Sequence, residues 1–408
     1  MSIPSLLRKV KSKVAPKLVI DRTPLDRQIK ALSAENAALR DEAFAALREG
    51  RRLQEAYRLS AVYHRPIEQT SGSPAVTGQM SPDDAVLVSR IMTSYRTASA
   101  TEIGDKDSFW QTNFARIKRP DHEVLLAGSH GAVTTLLRNP ARSRLFMGFD
   151  ELHDHTDLPD HGIAHVISHH GWIYDALFRL AEAIGARPLN YPEILGPGPI
   201  APSVDEILSD IDRVVGFRVT FPNPFPGEIG LLTSRGVASF RSVQSLHQAC
   251  RIHELVGTNA RVVEIGGGLG RTAFYARQFG INNYTIIDLP MTNVAQAYFL
   301  GRTLGQEMVS LFGENQHDIR ILPPTEFLDA TDRYDLAMNV DSLTEMSRGT
   351  ALAYCGAIHS RAKKFLSVNH EYNPFTVREV CASLEMHSST RTPYWLRRGY
   401  VDEVFDLA

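Results

Sequence analysis

Residues 261–288 read RVVEIGGGLGRTAFYARQFGINNYTIID. The stretch opens with a short apolar run, Val262 to Ile265, which stops at a cluster of glycines. A helix-compatible segment follows, and a second β-branched run ends in Asp288. A strand, a tight turn, a helix and a second strand are the elements of one βαβ unit. The surrounding chain is therefore predicted to be α/β, with parallel strands.

The turn contains three glycines at alternate positions, Gly266, Gly268 and Gly270. Glycine lets the backbone turn sharply and approach a ligand, at φ values that a side chain disfavours. The helix that starts near Arg271 would direct its free N–H groups at a bound group. Asp288, at the end of the next strand, can accept hydrogen bonds from both hydroxyls of a ribose. The pattern predicts a cofactor that contains a nucleoside; a glycine turn that binds nothing is the alternative.

The spacing separates two classes of cofactor. A dinucleotide fingerprint reads G-x-G-x-x-G, and Arg271 stands here at the position of its last glycine. Glu264 lies two residues before the first glycine of the turn, so the stretch reads E-x-G-x-G-x-G. That pattern, followed by a strand ending in an acid, resembles motifs I and II of the class I S-adenosylmethionine-dependent methyltransferases. The resemblance implies that the residues in contact with S-adenosylmethionine are Glu264, Gly266, Gly268, Gly270 and Asp288.

The composition is that of an ordinary globular protein. The 408 residues are 43% hydrophobic and 22% charged, which suits two or three domains. The formal net charge of −2 argues against a nucleic-acid partner. The three cysteines, Cys250, Cys355 and Cys381, show no disulfide or metal spacing, which fits a reducing, cytoplasmic compartment. No apolar run approaches the roughly 20 residues of a membrane span.

The N-terminal part precedes the predicted domains. Residues 1–22 are interpreted as a basic tail, with weak contact to an anionic membrane surface as the alternative. Residues 23–65 are predicted to form a coiled-coil helix, because seven positions alternate spacings of four and three. An asparagine among the a positions favours a two-stranded parallel pairing, so we expect a homodimer; a helix packed on its own domain is the alternative. The seam consists of Leu25, Ile29, Leu32, Asn36, Leu39, Ala43 and Ala46.

Residues 66–82 form a linker rich in Gly, Ser and Pro, and residues 83–256 are predicted to form a helical cap or substrate region. Within it, residues 214–236 are predicted to be a loop over the cofactor mouth. Arg235 and Arg241 are candidate clamps for a carboxylate or phosphate, or ordinary surface arginines. Three histidines share the spacing of one helix face, which suits a metal, but no companion motif accompanies them, so no metal site is predicted. They are His161, His165 and His169.

Residues 257–408 continue the alternation of strands and helices, which predicts a parallel sheet with helices on both faces. The methyltransferase resemblance implies a Rossmann-like sheet of seven strands, with one antiparallel strand at its C-terminal edge. The predicted strands beyond Asp288 are Ile319 to Leu322, Tyr334 to Val340, Lys364 to Val368, Met386 to Thr390 and Val401 to Leu407.

The candidate catalytic residues follow the fourth and fifth strands, because ligands of such sheets bind outside the carboxyl ends of the strands. Methyl transfer to a hydroxyl requires an aligned oxygen and the removal of its proton. His370 is the first candidate for the base, since an imidazole has an ordinary pKa of about 6.5. Glu345 and Asp341 are the next candidates, as bases, as groups that orient the histidine, or as ligands of a divalent ion. A helix-capping Asp341 and a structural His370 are the alternatives.

A narrower resemblance rests on VVEIGGGLGRTA, IIDLP, ILPPTEF and YDLAMNVDSLTEM. From about residue 81 onward the chain resembles the bacterial sugar O-methyltransferases associated with surface polysaccharide synthesis. The resemblance implies an enzyme that methylates a sugar hydroxyl with S-adenosylmethionine, with NVDSLTEM facing the acceptor. Another small hydroxylated metabolite is the second acceptor hypothesis. A noncatalytic methyltransferase-fold scaffold, assembled through its coiled coil, is the alternative from another class.

Overall fold

The computed structural model divides the chain into two units, residues 1–57 and residues 58–408. The predicted basic tail and the linker of residues 66–82 lie outside the described residues, as do the side chains of residues 50–60 and 161–169. The predicted boundary at residue 256 stays a prediction. The described residues are 23–60, 84–100, 118–140, 143–146, 148–149, 161–188, 202–225, 228, 230–315 and 318–407.

The N-terminal helix α1 spans Thr23–Ser60 and continues through Gly50, although glycine is a poor helix former. The apolar side chains of the predicted seam are exposed: Leu25 at 56%, Ile29 at 53% and Leu39 at 58%. The residues with heptad spacing therefore lie on one helix, as expected. The pairing of that helix with a second one stays a prediction.

Helices also form the first part of the second unit. Serine side chains begin several of them; Ser203 caps one in a capping box with Glu206, and Ser239 caps another. Among the described helices, none has the length and apolar character needed to cross a bilayer. They are α2 (Ala85–Ser99), α3 (Arg119–Ala127), α4 (His130–Arg138), α5 (His161–Ala183), α6 (Val204–Val215) and α7 (Phe240–Val256).

The segment predicted as a loop over residues 214–236 contains part of a hairpin. Strand β1, Leu231–Thr233, pairs antiparallel with β2, Gly236–Ala238. Gly236 turns the chain at a φ of 114°, which a side chain disfavours. The loop prediction is therefore wrong for the end of this segment, because three-residue strands are too short to show an alternating pattern.

The main sheet has eight strands in the order β5-β6-β4-β3-β7-β8-β10-β9. Strand β10 runs antiparallel to β8 and β9, and β3 to β8 pair in parallel. The expected number of seven strands is wrong, because the three-residue strand β5 adds an edge beside β6. The expected antiparallel strand is present, with β9 outside it. The strands are β3 (Arg261–Ile265), β4 (Asn283–Ile287), β5 (Val309–Leu311), β6 (Ile319–Leu322), β7 (Tyr334–Val340), β8 (Ala362–His370), β9 (Ser388–Pro393) and β10 (Tyr400–Asp406).

Helices cover both faces of the sheet, as the alternation of elements predicted. Val262 and Val263 point to opposite faces and belong to separate apolar clusters, as the two-residue period of a strand requires. The first cluster includes residues of α7, α8 and α9, and the second includes residues of α11 and α12. The helices of this part are α8 (Arg271–Gln278), α9 (Pro290–Thr303), α10 (Thr325–Leu328), α11 (Arg348–Arg361) and α12 (Val377–Ala382).

Candidate functional site

The carboxyl ends of β3, β7 and β8 are joined by the buried amide of Asn339. Its Nδ2 donates to the carbonyl of Ile265 at 2.9 Å, and its Oδ1 accepts from Asn369 Nδ2 at 2.9 Å. The Ser342 hydroxyl donates to the same Ile265 carbonyl at 3.2 Å. A buried amide on one strand with partners on the two neighbouring strands holds one arrangement of the three strand ends. The loops that follow them therefore leave the sheet at defined positions.

The glycine turn after β3 adopts left-handed conformations, with φ of 75° at Gly266 and 55° at Gly268. A Cβ on Gly266 would lie 2.1 Å from Ser342 Oγ, so this glycine is required by packing. A Cβ on Gly268 would meet no atom of the described residues within 4 Å. Gly270 packs against Leu300, whose Cδ1 would lie 2.9 Å from an added Cβ. Gly268 thus borders open space, where a ligand can approach the backbone.

Glu264 lies beneath this turn and is buried, with 2% of its surface exposed. Its Oε2 accepts a hydrogen bond from the Tyr284 hydroxyl at 2.9 Å. Burial raises the pKa of Glu264 to about 7, and the hydrogen bond from Tyr284 opposes that effect. An added Cβ on Gly267 would lie 3.1 Å from Glu264 Oε2. The carboxyl group therefore supports the turn from inside the protein.

Asp288 ends the neighbouring strand β4, as predicted, and is half-buried. Its Oδ1 accepts from the Leu289 N–H at 2.8 Å, and its Oδ2 accepts from Gln296 Nε2 at 2.9 Å. Gln296 Nε2 also donates to the Gly268 carbonyl at 3.0 Å, so one amide ties the glycine turn to the acid. Burial raises the pKa of Asp288 to about 6. Gln296 lies in a helix interior with no motif around it, so no pattern in the sequence points to it.

Lys118 is a second residue that the sequence did not reveal. Its ammonium donates to the Leu145 carbonyl at 3.4 Å and lies 5.0 Å from the centre of the Phe149 ring. Burial lowers the pKa of Lys118 to about 8, and the carboxylates of Asp288 and Asp121 oppose that effect. The lysine therefore places a positive charge within electrostatic range of Asp288.

Arg271 occupies the position at which a dinucleotide fingerprint has its last glycine. The side chain is buried, and its Nη2 donates to Glu228 Oε1 at 2.6 Å. Its guanidinium also lies over the Phe299 ring, 5.0 Å from the ring centre. The buried side chain of Arg271 therefore anchors the segment that contains Glu228 to the start of α8. This role differs from the close helix–strand packing that glycine allows in dinucleotide-binding folds.

Asp341 and His370, predicted from separate loops, lie together at the ends of β7 and β8. Asp341 Oδ1 lies 3.5 Å from His370 Nε2. Its Oδ2 accepts from the Tyr400 hydroxyl at 2.7 Å and from Arg397 Nη1 at 3.1 Å. The backbone of Asp341 has a φ of 60°, which is uncommon for a residue other than glycine. Such strain concentrates at functional sites, and here the Asp341 N–H is held by the Val368 carbonyl at 3.1 Å.

The other sequence candidates are placed differently. Glu345 ends a short 3₁₀ helix, Leu343–Glu345, further along the loop after β7, and is half-buried. Helix α5 begins at His161, but the side chains of His161, His165 and His169 lie outside the description. Among the residues whose positions are described, no group of His, Cys, Asp or Glu could hold a metal ion.

The two candidate arginine clamps have different surroundings. Arg235 is paired with Asp212, at 2.8 and 2.7 Å from its two carboxylate oxygens, and its side chain is only 8% exposed. Neither hypothesis for Arg235 is therefore correct, since the guanidinium is buried in an internal ion pair. Arg241, in the first turn of α7, is half-buried and donates to Gln244 Oε1 at 3.1 Å.

Comparison with solved structures finds methyltransferases of several kinds. A ribosomal protein L11 methylase of Lactobacillus delbrueckii subsp. bulgaricus is 11% identical, with a TM-score of 0.31 over 42% of this chain and 80% of that one. The 1,6-didemethyltoxoflavin-N1-methyltransferase of Burkholderia thailandensis, with bound S-adenosylhomocysteine, is 18% identical, with a TM-score of 0.30 over 40% and 78%. The magnesium protoporphyrin IX methyltransferase of Synechocystis PCC 6803, with bound SAM, is 14% identical, with a TM-score of 0.29 over 40% and 76%. No family model and no curated protein matches the chain.

Alanine at two positions of the turn should have different effects on stability. Gly266→Ala places its Cβ 2.1 Å from Ser342 Oγ and 2.6 Å from Ser342 Cβ, so something must move. Gly268→Ala meets open space among the described residues and costs only its left-handed backbone, about 1–2 kcal/mol. Chemical denaturation should show the larger loss of unfolding free energy for Gly266→Ala. Equal losses would contradict the packing role assigned to Gly266.

Glu264 should make the stability of the ligand-free protein depend on pH. Its folded-state pKa of about 7 exceeds its ordinary value of 4.5. Between these values the folded state holds a proton that the unfolded state has lost, so the free energy of unfolding falls as pH rises. The stabilisation that this proton gives the folded state amounts to about 3 kcal/mol. It is fully present below pH 4.5 and is lost as the pH rises to about 7.

The measurement is urea denaturation of the wild type and of Glu264→Gln across that pH range. Glutamine keeps an acceptor for Tyr284 and does not titrate. The variant should therefore show a flatter dependence of unfolding free energy on pH. Identical slopes in the two proteins would show that Glu264 titrates normally in the folded state.

Proposed function

We propose that this protein is an S-adenosylmethionine-dependent O-methyltransferase that methylates a sugar hydroxyl in the synthesis of surface polysaccharide or another glycan. The proposal is carried by one arrangement: the glycine turn after β3, Asp288 after β4 and the Asp341–His370 pair after β7 and β8 all follow the carboxyl ends of strands that are adjacent in the order β4-β3-β7-β8. A cofactor site and an acid–base pair at the same edge of a parallel sheet suit group transfer between two ligands.

The residues around the turn fit a cofactor that contains a ribose. Asp288 would accept hydrogen bonds from the ribose hydroxyls, and the backbone at Gly268 would face the ligand. Gln296 Oε1 is buried without a hydrogen-bond partner among the described residues, which leaves an acceptor beside the same turn. Glu264 would act through the turn; its direct contact with the cofactor remains a prediction. S-adenosylmethionine, when bound, supplies a methyl group on a positively charged sulfur.

The acid–base pair can remove the proton of an acceptor hydroxyl. With His370 Nε2 facing Asp341 Oδ1, the other ring nitrogen, Nδ1, takes the proton. The carboxylate then stabilises the imidazolium that forms. Tyr400 and Arg397 both occupy Asp341 Oδ2, so Asp341 serves to orient His370 rather than to accept the proton itself. Glu345 is the second candidate for the base.

The sugar is the acceptor that the sequence resemblance implies. Another small hydroxylated metabolite is the second acceptor hypothesis, since the same pair would deprotonate any hydroxyl placed beside it. A noncatalytic scaffold, by contrast, would lose its assembly on deletion of residues 1–65 and would show no turnover with or without them. An enzyme should keep its turnover after this deletion.

Calorimetric titration with S-adenosylmethionine tests the cofactor. The wild type should bind S-adenosylmethionine and not NAD, and Asp288→Asn should bind at least about tenfold more weakly, because it loses charged acceptors for the ribose. Asp329→Asn, an exposed acid, is the matched control and should bind normally. Absence of binding to the folded wild type, or equal binding to NAD, would refute the proposed function.

We further propose that α1 pairs with the α1 of a second copy in a parallel coiled coil. Leu39→Asp places a charge in the seam and should convert a dimer into a monomer in light scattering. Ala38→Asp introduces the same residue next to it, outside the seam, and should leave the dimer intact. A monomeric wild type, or an unchanged mass for Leu39→Asp, would contradict the pairing.

A further inference from the structure

The β9–β10 connection, residues 394–400, carries two side chains that hold Asp341. Arg397 Nη1 and the Tyr400 hydroxyl both donate to Asp341 Oδ2, at 3.1 and 2.7 Å. The Arg397 guanidinium also lies over the Tyr400 ring, 4.2 Å from its centre. The backbone closes the connection, since the Tyr394 N–H donates to the Tyr400 carbonyl at 2.8 Å and the Arg397 N–H donates to the Tyr394 carbonyl at 3.1 Å. One hydrogen-bonded turn of chain therefore holds the carboxylate.

Helix α5 contacts the backbone of this connection. Arg179, in α5, donates through Nη1 to the Trp395 carbonyl at 2.9 Å. The guanidinium is held in turn by Asp175, one helical turn earlier, whose Oδ2 lies 2.9 Å from Arg179 Nε. A charged donor makes a stronger hydrogen bond to a carbonyl than a neutral donor does. Helix α5 therefore fixes the chain two residues before Arg397.

Helix α7 contacts the side chains that begin the connection. His247 Nδ1 lies 3.2 Å from the Tyr394 hydroxyl, and the His247 ring meets the Trp395 ring edge-on, with 4.6 Å between the ring centres. Burial lowers the pKa of His247 to about 3, so the ring is neutral at ordinary pH. A neutral, buried ring with one polar and one aromatic contact holds both side chains in place.

These contacts form a continuous path from the helical part of the second unit to the proposed acid–base pair. Tyr394 and Leu396 are 2% and 4% exposed and belong to the same apolar cluster as residues of α5 and α7. Side chains in a close-packed cluster do not shift independently of one another. A displacement of the connection would therefore move Arg397 and Tyr400 together, and both would leave Asp341 Oδ2.

We propose that Arg179 and His247 are positioning residues for the acid–base pair. They fix the β9–β10 connection, and the connection fixes the Asp341 carboxylate that orients the His370 imidazole. A misplacement of about 1 Å that originates far from the chemistry can lower a rate about a hundredfold. The use of this geometry in methyl transfer rests on the proposed function, whereas the path of contacts does not.

The test is nitrogen NMR of the His370 ring in the ligand-free protein, with its signals assigned by comparison with His370→Gln. A proton on Nε2, facing Asp341, selects one tautomer, and the two ring nitrogens of a single tautomer give widely separated signals. Tyr400→Phe removes a direct donor to Asp341. It should bring the two signals closer together, because a carboxylate that is free to turn no longer selects one tautomer.

His247→Phe and Arg179→Gln should each change the His370 signals in this same direction. Phenylalanine keeps a ring beside Trp395 and loses the nitrogen that faces Tyr394. Glutamine removes the charged donor to the Trp395 carbonyl. The Arg179 side chain is 40% exposed, so Arg179→Gln tests the path even where replacement of the buried histidine prevents folding.

Two matched controls change the same residue types at places with other contacts. His253→Phe lies on α7 as well, and its ring stacks on Phe279, with 4.9 Å between the ring centres. Arg277→Gln removes an arginine of α8 that is paired with Asp318. Both controls should leave the His370 signals unchanged. Thermal melting of every variant confirms that it is folded.

Unchanged His370 signals in a folded His247→Phe or a folded Arg179→Gln would overturn the role of that residue. An equal change in His253→Phe would overturn both roles. Titration of the same samples with S-adenosylmethionine separates the two proposals. Cofactor binding with unchanged His370 signals removes only the positioning roles, whereas changed signals without cofactor binding remove the methyltransferase and keep the path of contacts.

Discussion

The hydrogen bonds of Asn339 are the constraint on which the rest of the site depends. One buried amide connects the Ile265 carbonyl at the end of β3 with Asn369 at the end of β8. Ser342, bonded to the same carbonyl, then fills the space above Gly266, which has no room for a side chain. The direction of the glycine turn and the direction of the loop carrying Asp341 are thereby set together. An unsatisfied buried amide costs about 1–3 kcal/mol, so the arrangement resists change.

The three carboxyl groups of the candidate site differ in their surroundings. Glu264 is enclosed beneath the turn with Tyr284, and burial favours its neutral form. Asp288 is also shifted toward its neutral form, but Lys118 and the donors from Leu289 and Gln296 oppose the shift. Asp341, by contrast, is paired with Arg397 and bonded to Tyr400. Asp288 and Asp341 are thus two carboxyl groups whose charge is set by different neighbours.

Long-range pairing also explains why a loop and a terminal segment contribute to the site. Glu228, before the β1–β2 hairpin, is held by Arg271 at the start of α8. Tyr400 reaches Asp341 across 59 residues of chain. A buried charge without its partner is costly, and this cost keeps such segments against the sheet. Arg235 is also held by a carboxylate, that of Asp212, and this pairing leaves its guanidinium unavailable to a ligand.

The sequence by itself determined the features that depend on residues close to one another along the chain. The βαβ unit, the strands Ile319–Leu322 and Tyr334–Val340, and the position of Asp288 follow from β-branched runs and glycine spacing, which act locally. Likewise, the heptad spacing predicted the helix that carries Leu25 and Leu39. Only the tertiary structure decided that β5 joins the sheet, that Arg397 and Tyr400 hold Asp341, and that Gln296 connects Gly268 with Asp288. Three-residue strands are too short to show a period, and contacts between distant residues depend on how the elements pack, which no local pattern records.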